Sequence, residues 1–309
     1  MTYSSGGKIQ ATDYNEFVST GVPNFNNIWS TGSTNSGYGQ TALATVSAGN
    51  KVTATNFWNS LVANIASSAA HQGTTITAIT PPVAGNKVAF LSALSTNLGA
   101  INTGRLNCSA VGTDITGSGT RTTNWGTALA IPSVTSTVTV TFASANAARY
   151  FFNAGGQILV STNKTTGSGL PEDVAWINLC ANIGTIGLPA VSTAQTLVAA
   201  SYTGLTKFGG GGAAPTIYTR NGFYDLTSTP TIYFKQFGNT GVYTSDYIQI
   251  LYSVSGAVVT ISVVFLDTSS FFANTVTGNL TVTAIARPPS TTNLTNSWGT
   301  PTVNVTAPA

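Results

Sequence analysis

Two spacings of apolar residues divide the sequence near residue 105. Before it, one segment repeats apolar residues at three- and four-residue intervals: Leu91, Leu94, Leu98 and Ile101. This spacing predicts an amphipathic helix. After residue 105, Val138 and Val140 alternate with threonines, as expected of a half-buried strand with a hydroxyl-covered outer face. The sequence therefore predicts a helical region over 1–105 and a β domain over 106–309.

The fold class predicted for the chain is mainly β, with an antiparallel β-sandwich, jelly-roll-like or otherwise, after the smaller helical region. Alternation predicts strands at 137–142, 231–237, 247–254, 258–266 and 280–286. Short Gly/Asn/Ser turns separate them, as in antiparallel all-β domains. One inserted helix is expected near 171–182, where Pro171 and two acidic residues suit a first helical turn.

The helical region carries a weak internal duplication of about 43 residues. Residues 9–17 and 52–58 share the order apolar, Ala-Thr-Asp/Asn, aromatic, and each resembles a capped helix start. In the second copy, Phe57, Leu61 and Ile65 lie on one helical face with Trp58. The repeat predicts paired helices that pack on each other or on a neighbouring chain.

The apolar stripe of the third helix has two interpretations. It either faces the core of its own chain or forms a seam between subunits, since its spacing is that of a coiled coil but spans only two heptads. The residues of the hypothetical oligomer interface are Leu91, Leu94, Leu98, Ile101, Phe57 and Trp58. A trimer is the favoured homo-oligomer, and both interpretations stay open at this point.

Charge is scarce in this chain. Only 11 Lys/Arg and 8 Asp/Glu residues occur, 6% in all, where about a quarter is typical. Neutral hydroxyls and amides take their place, which favours extensive contact with other copies or with a larger assembly. The basic residues are scattered singly, which argues against nucleic acid as a partner. No apolar run is long enough for membrane insertion, and residues 1–8 lack the apolar core of a secretory signal.

No catalytic or metal motif stands out. His71 is the only histidine, so one chain cannot build a metal site from two or three imidazoles, and no cofactor is expected. We expect His71 to bind the last carbonyls of the second helix, with Gly73 closing that helix. The eight acidic residues show no spacing typical of a glycosidase pair, and we interpret them as helix-start and turn residues.

The remaining chemical candidates have structural explanations. Cys108 and Cys180 are expected to be free thiols rather than a disulfide. The glycine run at 209–212 lacks the Lys-Ser/Thr that a phosphate-binding loop needs. The five tryptophans are expected in the core or in subunit contacts, although a glycan-binding face is an alternative: Trp29, Trp58, Trp125, Trp176 and Trp298.

Three segments carry a resemblance to a known group. They are Ala-Asn-Ala-Ala-Arg-Tyr-Phe-Phe-Asn-Ala-Gly-Gly-Gln-Ile at 145–158, Gly-Tyr-Gly-Gln-Thr-Ala-Leu at 37–43 and Thr-Asn-Leu-Thr-Asn-Ser-Trp-Gly-Thr-Pro at 292–301. There the chain resembles virion structural proteins of tailed bacteriophages, notably those of marine and cyanobacterial hosts. The resemblance implies a non-enzymatic, oligomeric component of a phage particle, assembled in the host cytoplasm.

The leading functional hypothesis is thus a virion protein of fibre, appendage or collar type. Its helical region would join the particle or oligomerise, and its β domain would project outward, with other virion proteins and a host surface glycan as partners. A capsid decoration protein and a carbohydrate- or receptor-binding module are the alternatives. A glycan depolymerase has the least support.

Overall fold

The computed structural model describes residues 11–47, 49–81, 83, 89–268 and 275–309. Outside these ranges lie residues 1–8, Ile9 and Lys87. They entered the arguments about export, helix starts and charge. The described chain is mainly β, with two antiparallel sheets, one additional hairpin and a group of helices near the N-terminus.

Six α-helices occur in the described residues. They are α1 (Ala11–Asn15), α2 (Phe25–Trp29), α3 (Asn59–Gln72), α4 (Leu91–Thr103), α5 (Ala145–Asn153) and α6 (Pro171–Ile183). A π-helical turn follows α1 and another precedes α3. The predicted helices at 91–101 and 171–182 are confirmed as α4 and α6. Helix α5 was not predicted, and its N-terminus is capped by Ser144, which accepts a hydrogen bond from the Ala147 amide.

Thirteen strands follow residue 105 in the described part of the chain. They are β1 (Ile115–Arg121), β2 (Ser133–Thr141), β3 (Gln157–Thr165), β4 (Thr185–Leu188), β5 (Ala194–Leu197), β6 (Ala200–Thr203), β7 (Thr206–Phe208), β8 (Ile217–Tyr218), β9 (Thr231–Phe237), β10 (Tyr247–Ser255), β11 (Val258–Leu266), β12 (Asn279–Arg287) and β13 (Thr302–Val305). All five predicted strands are found, as β2, β9, β10, β11 and β12.

These strands form two sheets and a separate hairpin. The five-stranded sheet has the order β1-β12-β3-β4-β7, the six-stranded sheet has the order β13-β2-β11-β10-β9-β8, and β5 pairs with β6. Every ladder between named strands is antiparallel. Along β2 the valines are buried and the threonines lie on the opposite, half-exposed face, as the alternation predicts.

The two sheets meet at both sides. Strand β13 is hydrogen-bonded to β2 and packs on β1, where Gly117 leaves room for its backbone and Gly119 for that of the residues just after it. At the other side the Lys207 amide of β7 donates to the Tyr218 hydroxyl of β8, at 2.6 Å. These edges therefore have neighbours, which limits edge-to-edge pairing with other chains. Through β13, the C-terminal segment takes part in a sheet.

The helical region shares its core with the sheets. The two predicted helix starts do pack on each other, because the Tyr14 ring lies 5.2 Å from Trp58 and 5.3 Å from Phe57. One continuous hydrophobic cluster then joins Leu94 of α4 to Phe151 of α5 and to the strands. Within the described residues, no helix combines the length and apolarity that crossing a membrane requires.

Candidate functional site

A cleft of about 370 Å³ lies between the five-stranded sheet and the β5–β6 hairpin. It uses the sheet face opposite the one that carries Ile158, Val160 and Ile186 into the core. Gly187 of β4 packs beneath two of the lining residues, where a Cβ would be 3.0 Å from the Tyr202 ring and 3.1 Å from the Phe208 ring. Glycine thus lets these two rings approach the sheet, and they meet edge to face at 5.0 Å.

The polar groups of the cleft are amide and hydroxyl groups. The Tyr202 hydroxyl donates to Gln157 Oε1, and these residues are only 3% and 2% exposed. Gln157 lines the cleft, and its Nε2 donates to no described residue. Ser161 of β3 and Thr185 of β4 face each other across the ladder and add two half-buried hydroxyls. Burial raises the pKa of Tyr202 to about 12, so its hydroxyl remains a donor.

One charged side chain lines the cleft, and its charge is compensated. Arg287 donates from Nε and Nη2 to the two carboxylate oxygens of Asp114, at 2.8 Å each. Hydrogen bonding to Arg287 lowers the pKa of Asp114, and the same pairing raises that of Arg287. The pair is ionised at any physiological pH and leaves no net charge at the cleft.

The hairpin that roofs the cleft is held by the segment around Cys108. The Cys108 amide donates to the Thr196 carbonyl at 2.9 Å, and its carbonyl accepts from Val198 at 2.7 Å. Val198 and Ala199 form the turn and both have positive φ, 53° and 61°. The left-handed region is unfavourable for alanine and more so for a β-branched residue. The turn beside the cleft is therefore strained.

The residues of the hypothetical oligomer interface lie mainly inside the chain. Leu91, Leu94, Leu98, Ile101 and Trp58 are at most 5% exposed, and Phe57 is half-buried against the same cluster. Of the two interpretations of the α4 stripe, this placement favours the core-facing one. Association between copies stays a prediction, and it would have to use another surface.

The three segments that carry the family resemblance come together in one place. Asn153 donates to the carbonyls of Ser36 and Gly37, at 2.9 and 3.0 Å. Gln40 is bonded to Thr295 through both its amide nitrogen and its amide oxygen. We call this set of contacts the junction, because it attaches the helical region to the β domain. Asn153 and Gln40, the side chains that make these bonds, are buried.

His71 also belongs to the junction, and its predicted role is wrong. Its Nε2 donates to the Ala154 carbonyl at 2.8 Å instead of binding the last carbonyls of α3. Those carbonyls accept from Ser109, at 3.0 Å from its hydroxyl to Ala70 and to His71. Gly73 does close the helix, with φ of 68°. Burial lowers the pKa of His71, so the ring is neutral.

Tertiary folding gathers three acidic residues that the sequence leaves scattered. Glu172, Asp246 and Asp267 are at most 2% exposed. The turn at 256–257 sets the β10–β11 register, which brings positions 246 and 267 to the same end of the hairpin. Burial, followed by the neighbouring carboxylates, raises the pKa of Glu172 to about 9. A carboxyl group with a raised pKa is typical of acid–base sites, but none of these carboxylates lines the described cleft.

A buried ion pair lies beside this cluster. Lys164 Nζ is 2.9 Å from Asp173 Oδ1, and both side chains are 1% exposed. Asp173 also accepts from the amides and hydroxyls of Ser168 and Thr277. Because Lys164 donates to three oxygens, the pair fastens β3, α6 and the segment before β12. Sequence reasoning missed this pair, since nothing in the residue spacing indicates it.

The remaining sequence candidates are structural. Both cysteines are buried free thiols, as expected. All five tryptophans are at most 8% exposed, so a glycan-binding face cannot be built from them in this conformation. Among the described residues no group of His, Cys, Asp and Glu is arranged to hold a metal ion. The cleft residues were not anticipated, because they come from six separate strands.

Comparison with protein-family models, curated proteins and solved structures finds no match to this chain.

Proposed function

We propose that this protein is a non-enzymatic structural component of a tailed-phage virion, of fibre, appendage or collar type, that works as an oligomer. The observation that carries the proposal is an uncharged, half-exposed face on the six-stranded sheet. The resemblance of the three junction segments to phage virion proteins gives the biological setting.

The uncharged face extends over four strands. Thr137 on β2 lies opposite Ser262 on β11, and Ser262 lies opposite Leu251 on β10. In both directions the neighbouring positions on β2 and β11 are threonine or valine, and on β10 they are Ser253 and Gln249. Lys235 of β9 lies opposite Gln249 and borders the face. Thr302 and Asn304 of β13 extend the face beyond β2. A surface exposed to solvent usually carries many charges, whereas the centre of a protein interface is depleted of them. The face therefore suits contact with a second copy or another virion protein.

We also propose that the two sheets are stacked as a sandwich. The contacts of β13 with both sheets and the hydrogen bond between Lys207 and Tyr218 support this arrangement. A stacked scaffold would present the uncharged face on one side and the cleft on the other.

The first experiment locates the protein on the particle. Antibodies against the purified chain are applied to virions of a phage that encodes it, with immunogold microscopy and gel quantitation beside the major capsid protein. A few copies at the tail or neck support the proposal. Many copies over the head support the capsid-decoration alternative instead, and absence from purified particles refutes both.

The second experiment tests the uncharged face. Thr137→Lys places a like charge at its centre in every copy, so we expect sedimentation to report oligomers at least tenfold weaker. Ser192→Lys, which adds the same charge at an exposed position off this face, is the matched control. A wild-type chain that sediments as a monomer, or equal oligomers in both variants, would count against association through this face.

A further inference from the structure

We infer that the cleft beneath the β5–β6 hairpin binds a neutral saccharide. This site goes beyond the structural role proposed above and does not depend on it. Its volume of about 370 Å³ lies within the range of small-molecule pockets, roughly 300–1,000 Å³. Three properties of the lining select the class of ligand.

Charge is the first property. Arg287 is the charged residue of the lining, and its guanidinium is held by both oxygens of Asp114. An anionic ligand would have to compete with that bidentate pair, and a cationic ligand would meet the guanidinium. An uncharged ligand avoids both of these unfavourable interactions, so it is the class of ligand that the cleft favours.

Unused hydrogen-bonding capacity is the second property. Gln157 is 2% exposed, and its Oε1 is occupied by the Tyr202 hydroxyl, whereas its Nε2 has no described acceptor. The hydroxyls of Ser161 and Thr185 also have no described partner. An apolar ligand would displace water from these groups and leave them without hydrogen-bond partners, which is unfavourable for buried polar groups. The ligand therefore carries hydroxyl or carbonyl oxygens.

Apolar surface is the third property. The Tyr202 and Phe208 rings form one wall, and Leu159 and Ile285 lie on the sheet side. A ligand that satisfies both the rings and the hydroxyls needs an apolar ring face bordered by oxygens. Sugars in their ring form have this combination of surfaces, because C–H groups cover one face and hydroxyls point outward.

Contacts within the chain hold the walls of the cleft in place. The hairpin roof is attached through backbone hydrogen bonds on both sides of Cys108, and Gly187 fixes the distance between the rings and the sheet. Preorganisation lowers the entropy cost of binding a small ligand.

The experiment uses the full-length chain and ligand-observed saturation-transfer NMR. The probes are glucose, galactose, mannose and N-acetylglucosamine, with dextran added to distinguish a free sugar from the interior of a polymer. Glucuronic acid and indole serve as charged and apolar comparisons. Ser161→Trp fills the cleft from β3, and Ser228→Trp adds the same ring at an exposed position outside the lining.

We expect saturable binding of at least one neutral sugar, lost in Ser161→Trp and retained in Ser228→Trp. Because Ser161→Trp could disturb folding, Thr185→Val is the second variant: it keeps the shape of the side chain, removes one of the hydroxyls that the ligand would bind, and should weaken binding about tenfold. Three results would overturn the inference: no neutral sugar binds, glucuronic acid or indole binds as well as the best sugar, or binding is unchanged in both cleft variants.

Discussion

Glu172 and Asp173 are consecutive in the chain but have opposite surroundings. Burial would raise the pKa of Asp173, but hydrogen bonds from Thr277, Lys164 and Ser168 outweigh it and lower the pKa to about 2. For Glu172, burial and then the neighbouring carboxylates raise the pKa to about 9. At the start of one helix the sequence thus places one permanent anion and one carboxyl group that stays protonated at neutral pH.

The first prediction concerns pH dependence. Folded Glu172 keeps its proton up to about pH 9, whereas the unfolded chain releases it near its ordinary value of 4.5, so unfolding releases a proton in between. The stability due to the protonated group is complete below that ordinary value and is lost as pH rises toward 9. The free energy of unfolding should fall by up to about 1.4 kcal/mol per pH unit.

Glu172→Gln removes the titrating carboxyl group, so the free energy of unfolding should depend less steeply on pH. Urea unfolding of both proteins between about pH 7 and about pH 9 measures the difference, a window in which buried His71 stays neutral. Parallel profiles for the two proteins would show that Glu172 is ionised in the native state.

The second prediction compares two ion pairs. Asp173→Ala leaves the ammonium of Lys164 buried without its counter-ion, so we expect a loss of about 3–5 kcal/mol in the free energy of unfolding. Asp114→Ala breaks the pair with Arg287. Each side chain of this pair is 32% exposed, so the free energy of unfolding should fall by about 1 kcal/mol or less. Denaturant titration of both variants measures the two losses in free energy of unfolding. Equal losses would contradict the prediction.

At the scale of elements, two hairpins with two-residue turns differ in their turn chemistry. The β10–β11 turn uses Gly256, with φ of 57°, followed by Ala257 with an ordinary negative φ. The β5–β6 turn uses Val198 and Ala199, both with positive φ. Glycine takes the left-handed conformation without strain in the first turn, whereas tertiary contacts with Cys108 hold the second turn against its local preference.

The third prediction follows from that contrast. Ala199→Gly removes a Cβ from a left-handed residue and should raise the free energy of unfolding by about 1 kcal/mol. Ala257→Gly is the matched change in the other hairpin. It relieves no strain and only increases the conformational entropy of the unfolded chain, so the free energy of unfolding should fall by about 0.5–1 kcal/mol. Thermal unfolding of the two variants measures both signs, and two shifts of the same sign would argue against strain at the β5–β6 turn.

At the scale of the molecule, the junction and the shared core connect regions that the sequence separates. Asn153 of α5 bonds to the loop at 36–37, and Gln40 bonds to Thr295 near the C-terminus. Tyr224 adds a hydrogen bond to the Asn153 amide oxygen, at 2.8 Å. The helical region is therefore packed on the β domain through buried polar groups as well as apolar side chains.

The fourth prediction is that these regions unfold together. Far-UV circular dichroism and tryptophan fluorescence should give coincident urea transitions, because opening the junction exposes buried amides at a cost of about 1–3 kcal/mol each. Asn153→Ala should move both transitions to lower urea by the same amount. Separate transitions, or a shift of only one, would indicate two independent domains.

Alternation and helical spacing were sufficient for the long elements. Strands β9 and β11 were predicted to the residue, and α4 to within two, because each has one face in the core and one toward solvent. Strand β3 was missed because nearly all of its first half is buried, which removes the alternation. Strands β4 to β8 have only two to four residues, too few for a period to be visible.

By itself the sequence determined which segments become long strands and helices, because periodicity in side-chain polarity depends only on local geometry and the presence of a core. Tertiary structure alone decided the cleft, the buried acids and the junction. Each of these brings together side chains far apart in the chain, such as Gln157 with Tyr202 and Gln40 with Thr295. Their proximity depends on strand order and register, which distant packing sets and no single stretch of residues encodes.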